Sequence, residues 1–227
     1  KLNPDFIINC IGILVKGSKD EERAIYLNAY LPHQLKVIAK NINSKLIHIS
    51  TDCVFSGLRG QYIETDPRDG QSVYSQTKIL GEIIDSTNLT LRTSIIGPEL
   101  KNKGEGLFHW FMSQSGNISG YTGSIWSGVT TIELAKIIKW SIDNNMTGLY
   151  HITNNTSISK YELLKLFQKY TQKKINIVPI DGKSDNKSLL DTKKVINHHI
   201  SSYEKMVKEM IENVKSNASL YPYNEIK

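Results

Sequence analysis

From Leu46 to Gly57 the chain reads Leu-Ile-His-Ile-Ser-Thr-Asp-Cys-Val-Phe-Ser-Gly, a mostly apolar run that turns small and polar. A strand covered on both faces of a parallel sheet has this pattern, and the polar end marks its exit from the core. Asp5 to Gly12, Asp-Phe-Ile-Ile-Asn-Cys-Ile-Gly, repeats it. Between the two, Ala24, Leu27, Leu31, Leu35, Val37 and Ile38 predict a helix from Glu21 to Lys40 with an imperfect apolar face. A third strand is expected from Leu89 to Ile96. It follows a helix that carries Tyr74 and Lys78 and continues through Ile79, Leu80, Ile83 and Ile84. Strands alternating with helices predict an α/β fold with a mostly parallel sheet and right-handed crossovers.

The later half is patterned as a smaller α+β lobe. Leu107 to Met112 is a helical apolar stretch whose Trp110 and Phe111 suit core packing or a subunit contact. Thr131 to Asn144 predicts an amphipathic helix that buries Leu134, Ile137, Ile138 and Ile142. A short strand is expected at Tyr150 to Thr153. Ser159 and Glu162 form a capping-box pattern for a helix from Lys160 to Thr171. Ile175 to Pro179, a lysine-rich loop to Ser188 and a last helix from Tyr203 to Lys215 follow, and the tail from Asn217 is expected to be loosely held.

Composition narrows the class. The 227 residues, 39% hydrophobic, suffice for a sizeable core. No apolar run approaches a membrane span and no start resembles a signal peptide, so a cytoplasmic location is expected. Two cysteines, Cys10 and Cys53, make no disulfide framework and are expected as free, buried thiols at strand ends. No Cys/His spacing resembles a metal site. The net charge of +6 comes from scattered lysines without interleaved aromatics, which gives nucleic-acid binding no support. It suits a doubly phosphorylated substrate and equally an ordinary lysine-rich surface.

Candidate chemistry gathers where the Leu46 run ends. Tyr74 and Lys78 stand four residues apart, on one face of a helix. A free phenol titrates near pH 10, and a cation beside it lowers that value, a role open to Lys78. Thr51 offers a hydroxyl from a neighbouring strand end, where open parallel sheets gather ligands. Asp52, beside it, reads as a substrate contact or a loop-capping carboxylate.

Beyond that site the chain resembles the extended short-chain dehydrogenase/reductases, and within them the dTDP-4-dehydrorhamnose reductase family of sugar-nucleotide 4-keto reductases. The resemblance rests on Ser50-Thr51-Asp52-Cys53-Val54-Phe55-Ser56-Gly57, Tyr62-x-Glu64-x-Asp66, Tyr74-x-x-x-Lys78 with Gly81-Glu82, and Leu91-Arg92-Thr93-Ser94. It extends to Gly120 to Ala135 and Gly148 to Ile152. What it implies is a Rossmann-like fold that lacks its N-terminal glycine-rich part, roughly 60 residues at about 30 per βαβ unit. Residues 1–100 would be the C-terminal part of the dinucleotide-binding domain and 101–227 mainly the substrate lobe, with some segments open to returning to the first. These residues alone are then expected to bind a dinucleotide weakly or not at all.

The resemblance also implies reduction of a nucleoside-diphosphate 4-keto-6-deoxy sugar by NADP or NAD chemistry, in surface polysaccharide precursor synthesis. Thr51, Tyr74 and Lys78 would be catalytic. Cys10, Ile11, Gly12, Ser50, Tyr74, Lys78, Thr93, Ser94 and Ile95 would hold the cofactor. Asp52, Val54, Phe55 and Trp126 would face the substrate. The related 4,6-dehydratases carry Glu at the position of Cys53, which disfavours a dehydratase. A noncatalytic regulatory subunit on the same fold, a sugar-nucleotide epimerase and a homodimer are left open.

Overall fold

The computed structural model describes residues 3–182 and 184–223. The chain runs β1 (Phe6–Asn9), α1 (Glu21–Ala24), a π-helical turn (Ile25–Tyr30), α2 (Leu31–Asn41), β2 (Lys45–Thr51), α3 (Val73–Leu80), β3 (Leu89–Thr93) and β4 (Ile95–Ile96). It continues with α4 (Leu107–Ser113), β5 (Gly116–Tyr121), β6 (Ser124–Trp126), β7 (Val129–Thr130), α5 (Thr131–Asp143), β8 (Gly148–His151) and β9 (Ile158–Ser159). The last elements are α6 (Lys160–Thr171), β10 (Ile175–Ile180), β11 (Asp185–Asn186) and α7 (Tyr203–Ser216).

The main sheet has the order β1-β2-β3-β8, with every neighbouring pair parallel. This is the expected α/β architecture. Its registers place Ser50 opposite Arg92 and Thr51 opposite Thr93, so β2 and β3 end together. β2 is buried along nearly its whole length, which explains its unbroken apolar start. Smaller pairings lie beyond: β5 with β10 and β4 with β7 in parallel, and β6 between β11 and β9. Gly148–His151 returns from the later half of the chain to the edge of the main sheet. One hydrophobic cluster joins Ile47, Leu91, Phe108, Ile137, Phe167 and Met210, and so fastens sheet and lobe together.

Several elements depart from the sequence reading. The helix expected from Glu21 to Lys40 is interrupted by the π-helical turn, which buries Asn28 and Ala29. A π turn adds a residue to the loop of the backbone hydrogen bond and rotates the face that follows. Val37 and Ile38 consequently point outward, and Ala39 takes the core position. The helix bearing Tyr74 stops at Leu80, with Gly81 as its C-cap. Ile83 is buried outside the helix and Ile84 is exposed. The strand from Leu89 to Ile96 divides at Ser94, whose carbonyl receives the Val129 amide at 2.9 Å. The tail is held at Tyr223, a buried ring whose hydroxyl accepts from the Glu99 amide at 2.9 Å and which meets Phe108 edge-on.

The capping box of α6 forms as read, with Ser159 and Glu162 each satisfying the other's backbone. Among the described residues no helix is long and apolar enough to cross a membrane. No cluster of three or more His, Cys, Asp or Glu residues in the described part could hold a metal ion.

Candidate active site

The carboxyl ends of β1, β2 and β3 open into a cleft of about 550 Å³. Its walls are the backbone from Cys10 to Lys16, the β2 exit from Ile49 to Cys53, Tyr74 and Lys78 of α3, and Thr93 to Ile95. Ligands gather at such strand exits because the sheet ends there and the loops part. Of the residues read from the sequence, Cys10, Ile11, Gly12, Ser50, Thr51, Asp52, Tyr74, Lys78, Thr93, Ser94 and Ile95 meet in this one cleft. Val54, Phe55 and Trp126 do not line it. Val54 and Phe55 are fully buried, with Phe55 stacked on Tyr62 at 4.2 Å between centroids. Trp126 packs against Tyr203 instead.

α3 starts at Ser72, whose hydroxyl accepts from the Ser75 amide. It buries Tyr74, Ser75, Thr77 and Lys78 and so turns its polar side chains inward, toward the strand ends. Burial pushes the Tyr74 phenol above its ordinary range, with the Cys53 and Asp52 side acting the same way and the neighbouring Thr51 hydroxyl opposing them. The sequence reading, in which Lys78 lowers this value, is therefore corrected. The phenol keeps its proton near neutral pH and is a donor. Lys78 is brought down to about 8, chiefly by burial, against the pull of Glu82. Its Nζ donates to the Ile49 carbonyl at 2.9 Å.

Thr51 Oγ1 donates to Asp52 Oδ1 at 3.1 Å and accepts from the Cys53 amide at 3.1 Å. Asp52 is raised by burial, which Lys187 partly offsets. Both thiols are free. Cys10 is exposed rather than buried, because it follows β1 into the open cleft, while Cys53 is half-buried and pushed up to about 12 by burial.

Two features escaped the sequence reading. Asn28, in the π-helical turn, accepts from the Ile13 amide at 2.8 Å and donates to the Ile13 carbonyl at 3.1 Å. It also donates to Thr77 Oγ1 at 3.3 Å and so ties the cleft wall to α3. An asparagine amid an apolar helical pattern was the available signal.

The second feature is a buried ionic row beneath the strand exits. Glu82 accepts from Arg92 Nε and Nη2, each at 2.8 Å, from Ser50 Oγ at 2.7 Å and from Arg68 Nη1 at 3.0 Å. The Arg92 guanidinium holds the Glu82 carboxyl ionised despite burial, with Ser50 and Arg68 helping. Arg92 Nη1 bonds His151 Nε2 at 2.8 Å, and its guanidinium lies over Phe55. A guanidinium cannot accept, so His151 carries its proton on Nδ1 and donates it to the Leu190 carbonyl at 3.0 Å.

The model of the RmlD substrate binding domain family matches residues 1–216. A spore coat polysaccharide biosynthesis protein, SpsK, of Bacillus subtilis is 29% identical over 170 residues, which cover 70% of this chain and 58% of the relative. A dTDP-4-dehydrorhamnose reductase of Mycobacterium tuberculosis is 36% identical over 85 residues, 34% of this chain and 28% of that enzyme. The chain thus matches less than two thirds of the length of these curated relatives. Among solved structures, the dTDP-4-dehydrorhamnose reductase of Clostridium acetobutylicum superposes with a TM-score of 0.81 at 20% identity, over 93% of this chain and 81% of that one. The Bacillus anthracis enzyme in complex with NADP gives 0.80 at 22% identity, again over 93% and 81%. At these identities the likeness is one of fold, and it agrees with the parallel sheet described above. With a family match that runs through almost the whole chain, this protein belongs to the RmlD substrate binding domain family.

Proposed function

We propose that this site reduces the 4-keto group of a nucleoside-diphosphate 6-deoxy sugar at the expense of NADPH or NADH. The observation that carries the reading is the convergence of a protonated Tyr74 phenol, the Thr51 hydroxyl and the Lys78 amine on one cleft beside the backbone of Cys10 to Gly12 and Thr93 to Ile95. The dinucleotide complexes and reductase names among the relatives support it.

The residues fit the nicotinamide half of such a cofactor. Gly12 lets the Asn28 side chain close on the cleft wall and fix its backbone, since a Cβ there would come within 3.1 Å of Asn28 Oδ1. Cys10 to Gly12 and Thr93 to Ile95 would flank the ring, and Ser50 and Lys78 would hold its ribose. A reduced nicotinamide held there would supply the hydride for the carbonyl carbon. Tyr74 gives its proton to the carbonyl oxygen, which completes the alcohol. Thr51 turns its hydroxyl from Asp52 to that oxygen and stabilises the charge that develops there. Lys78, while protonated, keeps the ribose and the β2 exit in place beside Tyr74. Asp52 faces the sugar hydroxyls. The consequent role is in making precursors of surface polysaccharide.

The test is NAD(P)H oxidation by the complete gene product with a panel of dTDP- and UDP-linked 4-keto-6-deoxy sugars. Turnover that disappears in Tyr74→Phe is the expected result. Nicotinamide binding without turnover on any sugar would favour a regulatory subunit or an epimerase.

A further inference from the structure

Two side chains at the end of α3 and the turn after it grip consecutive residues of β2. Lys78 Nζ donates to the Ile49 carbonyl at 2.9 Å, and Glu82 Oε1 receives the Ser50 hydroxyl at 2.7 Å. Thr51 comes next in the strand. Glu82 is fully buried and saturated: besides Ser50 it holds both Arg92 nitrogens and Arg68, four donors for one carboxylate. Its reach is fixed from behind, because Arg92 is itself seated on His151 and Phe55.

We propose that Glu82 is a positioning residue for the reduction: it locks the β2 exit that presents Thr51 to the helix that presents Tyr74 and Lys78, and it supplies the negative charge that the Lys78 ammonium feels. Both effects come from one group. If Ser50 slips, Thr51 moves with it, and misplacement by about 1 Å can cost about 100-fold in rate.

The charges around Lys78 support the second effect. From the segment after β1 it faces Cys10, a solvent-accessible thiol raised by partial desolvation and so protonated near neutral pH. From β2 it faces His48, which burial holds neutral by lowering it to about 3. From the turn after α3 it faces Glu82, which is ionised. Near neutral pH only Glu82 among these carries a charge, and it opposes the burial that draws Lys78 down.

The proposal rests on the reductase reading for its kinetic arm alone. The first measurement follows the Lys78 side chain by NMR titration of lysine ε-carbons in the complete gene product, assigned with Lys78→Arg. Glu82→Gln should lower the Lys78 midpoint by about one pH unit. Glu82→Asp, which keeps the charge and shortens the reach, should restore it. In turnover, Glu82→Gln should shift the alkaline limb to lower pH by the same amount and lower kcat about 10- to 100-fold, with little change in KM for the sugar.

If Glu82→Gln does not fold, the same comparison is made between Glu82→Gln/Arg92→Met and Arg92→Met alone, so that the loss of the Arg92 charge is common to both. An unmoved Lys78 midpoint in either folded variant overturns the proposal, whatever happens to turnover. A shifted midpoint in a protein that reduces no sugar upholds the electrostatic link and removes the reductase reading instead.

Discussion

The carbonyl of Asn28 occupies the space that a side chain at Gly81 would need, since a Cβ built on Gly81 would lie 1.9 Å from the Asn28 oxygen. The backbone at Gly81 is ordinary, with φ of −81°, so the position demands a missing side chain and not an unusual turn. The π-helical turn brings that carbonyl forward, and α3 ends against it. Gly81→Ala must push α3 away from the turn. The expected cost is about 1–3 kcal/mol, as for other overpacked sites, read from the denaturation midpoint. Because α3 carries Tyr74 and Lys78, kcat should fall more than the stability loss alone explains.

Asn28→Ala leaves the Ile13 amide and carbonyl without their side-chain partners. A loss of about 1–3 kcal/mol in stability is expected. The segment after Cys10 lines the cleft, so its loosening should raise the KM for the nicotinamide nucleotide while the KM for the sugar stays near its original value. Equal changes in both would show that Asn28 acts only through global stability.

Acid should destabilise the fold through two buried histidines. His151 is lowered to about 4 and His48 to about 3, both mainly by burial. In the unfolded chain a histidine titrates near 6.5, so below that pH the unfolded state binds the extra protons. Stability is complete above about pH 6.5 and is lost as pH falls, down to about 4 for His151 and about 3 for His48. Each contributes a slope of about 1.4 kcal/mol per pH unit within its window. Urea unfolding from pH 7 to 4 should show this slope, and His151→Gln, which can still accept from Arg92, should reduce it. A slope unchanged in His151→Gln would mean that the histidine is not neutral in the fold.

Tyr74→Phe retains the ring and loses the proton donor. A drop in kcat of about 10²- to 10⁴-fold is expected, with folding unaffected. In the wild-type protein, turnover should decline as pH rises through about 8, where Lys78 gives up its proton. Lys78→Arg, which cannot lose its charge in that range, should flatten this decline among whatever molecules still turn over.

Much of the framework is legible in the residues alone. The apolar runs at Phe6 and Leu46 end where their strands end, and Ser159 with Glu162 caps α6, because these are local patterns with local physical causes. The cleft residues were readable from the strand exits and the Tyr74 to Lys78 spacing. What was not legible depends on contacts distant in sequence. The π-helical turn leaves no periodicity signal over six residues, and so Val37 and Ile38 were read on the wrong face. The shift in Tyr74 arises from burial by the assembled loops, whereas sequence spacing points only to Lys78. Phe55 and Trp126 look like exposed aromatics for a sugar until Tyr62, His151 and Tyr203 close over them.

The row from Leu190 to Ser50 has a sense of direction. Arg92 donates toward His151 on one side and toward Glu82 on the other, and His151 in turn donates to Leu190. A guanidinium holds its protons throughout the physiological range. The row can therefore transmit force and charge through the interior while passing no hydrogen ions: Arg92 is an insulator in a wire that otherwise reaches from the lobe to the strand exit. In the proposed reduction, a proton given up by Tyr74 would be replaced from the open side of the cleft and not along this row.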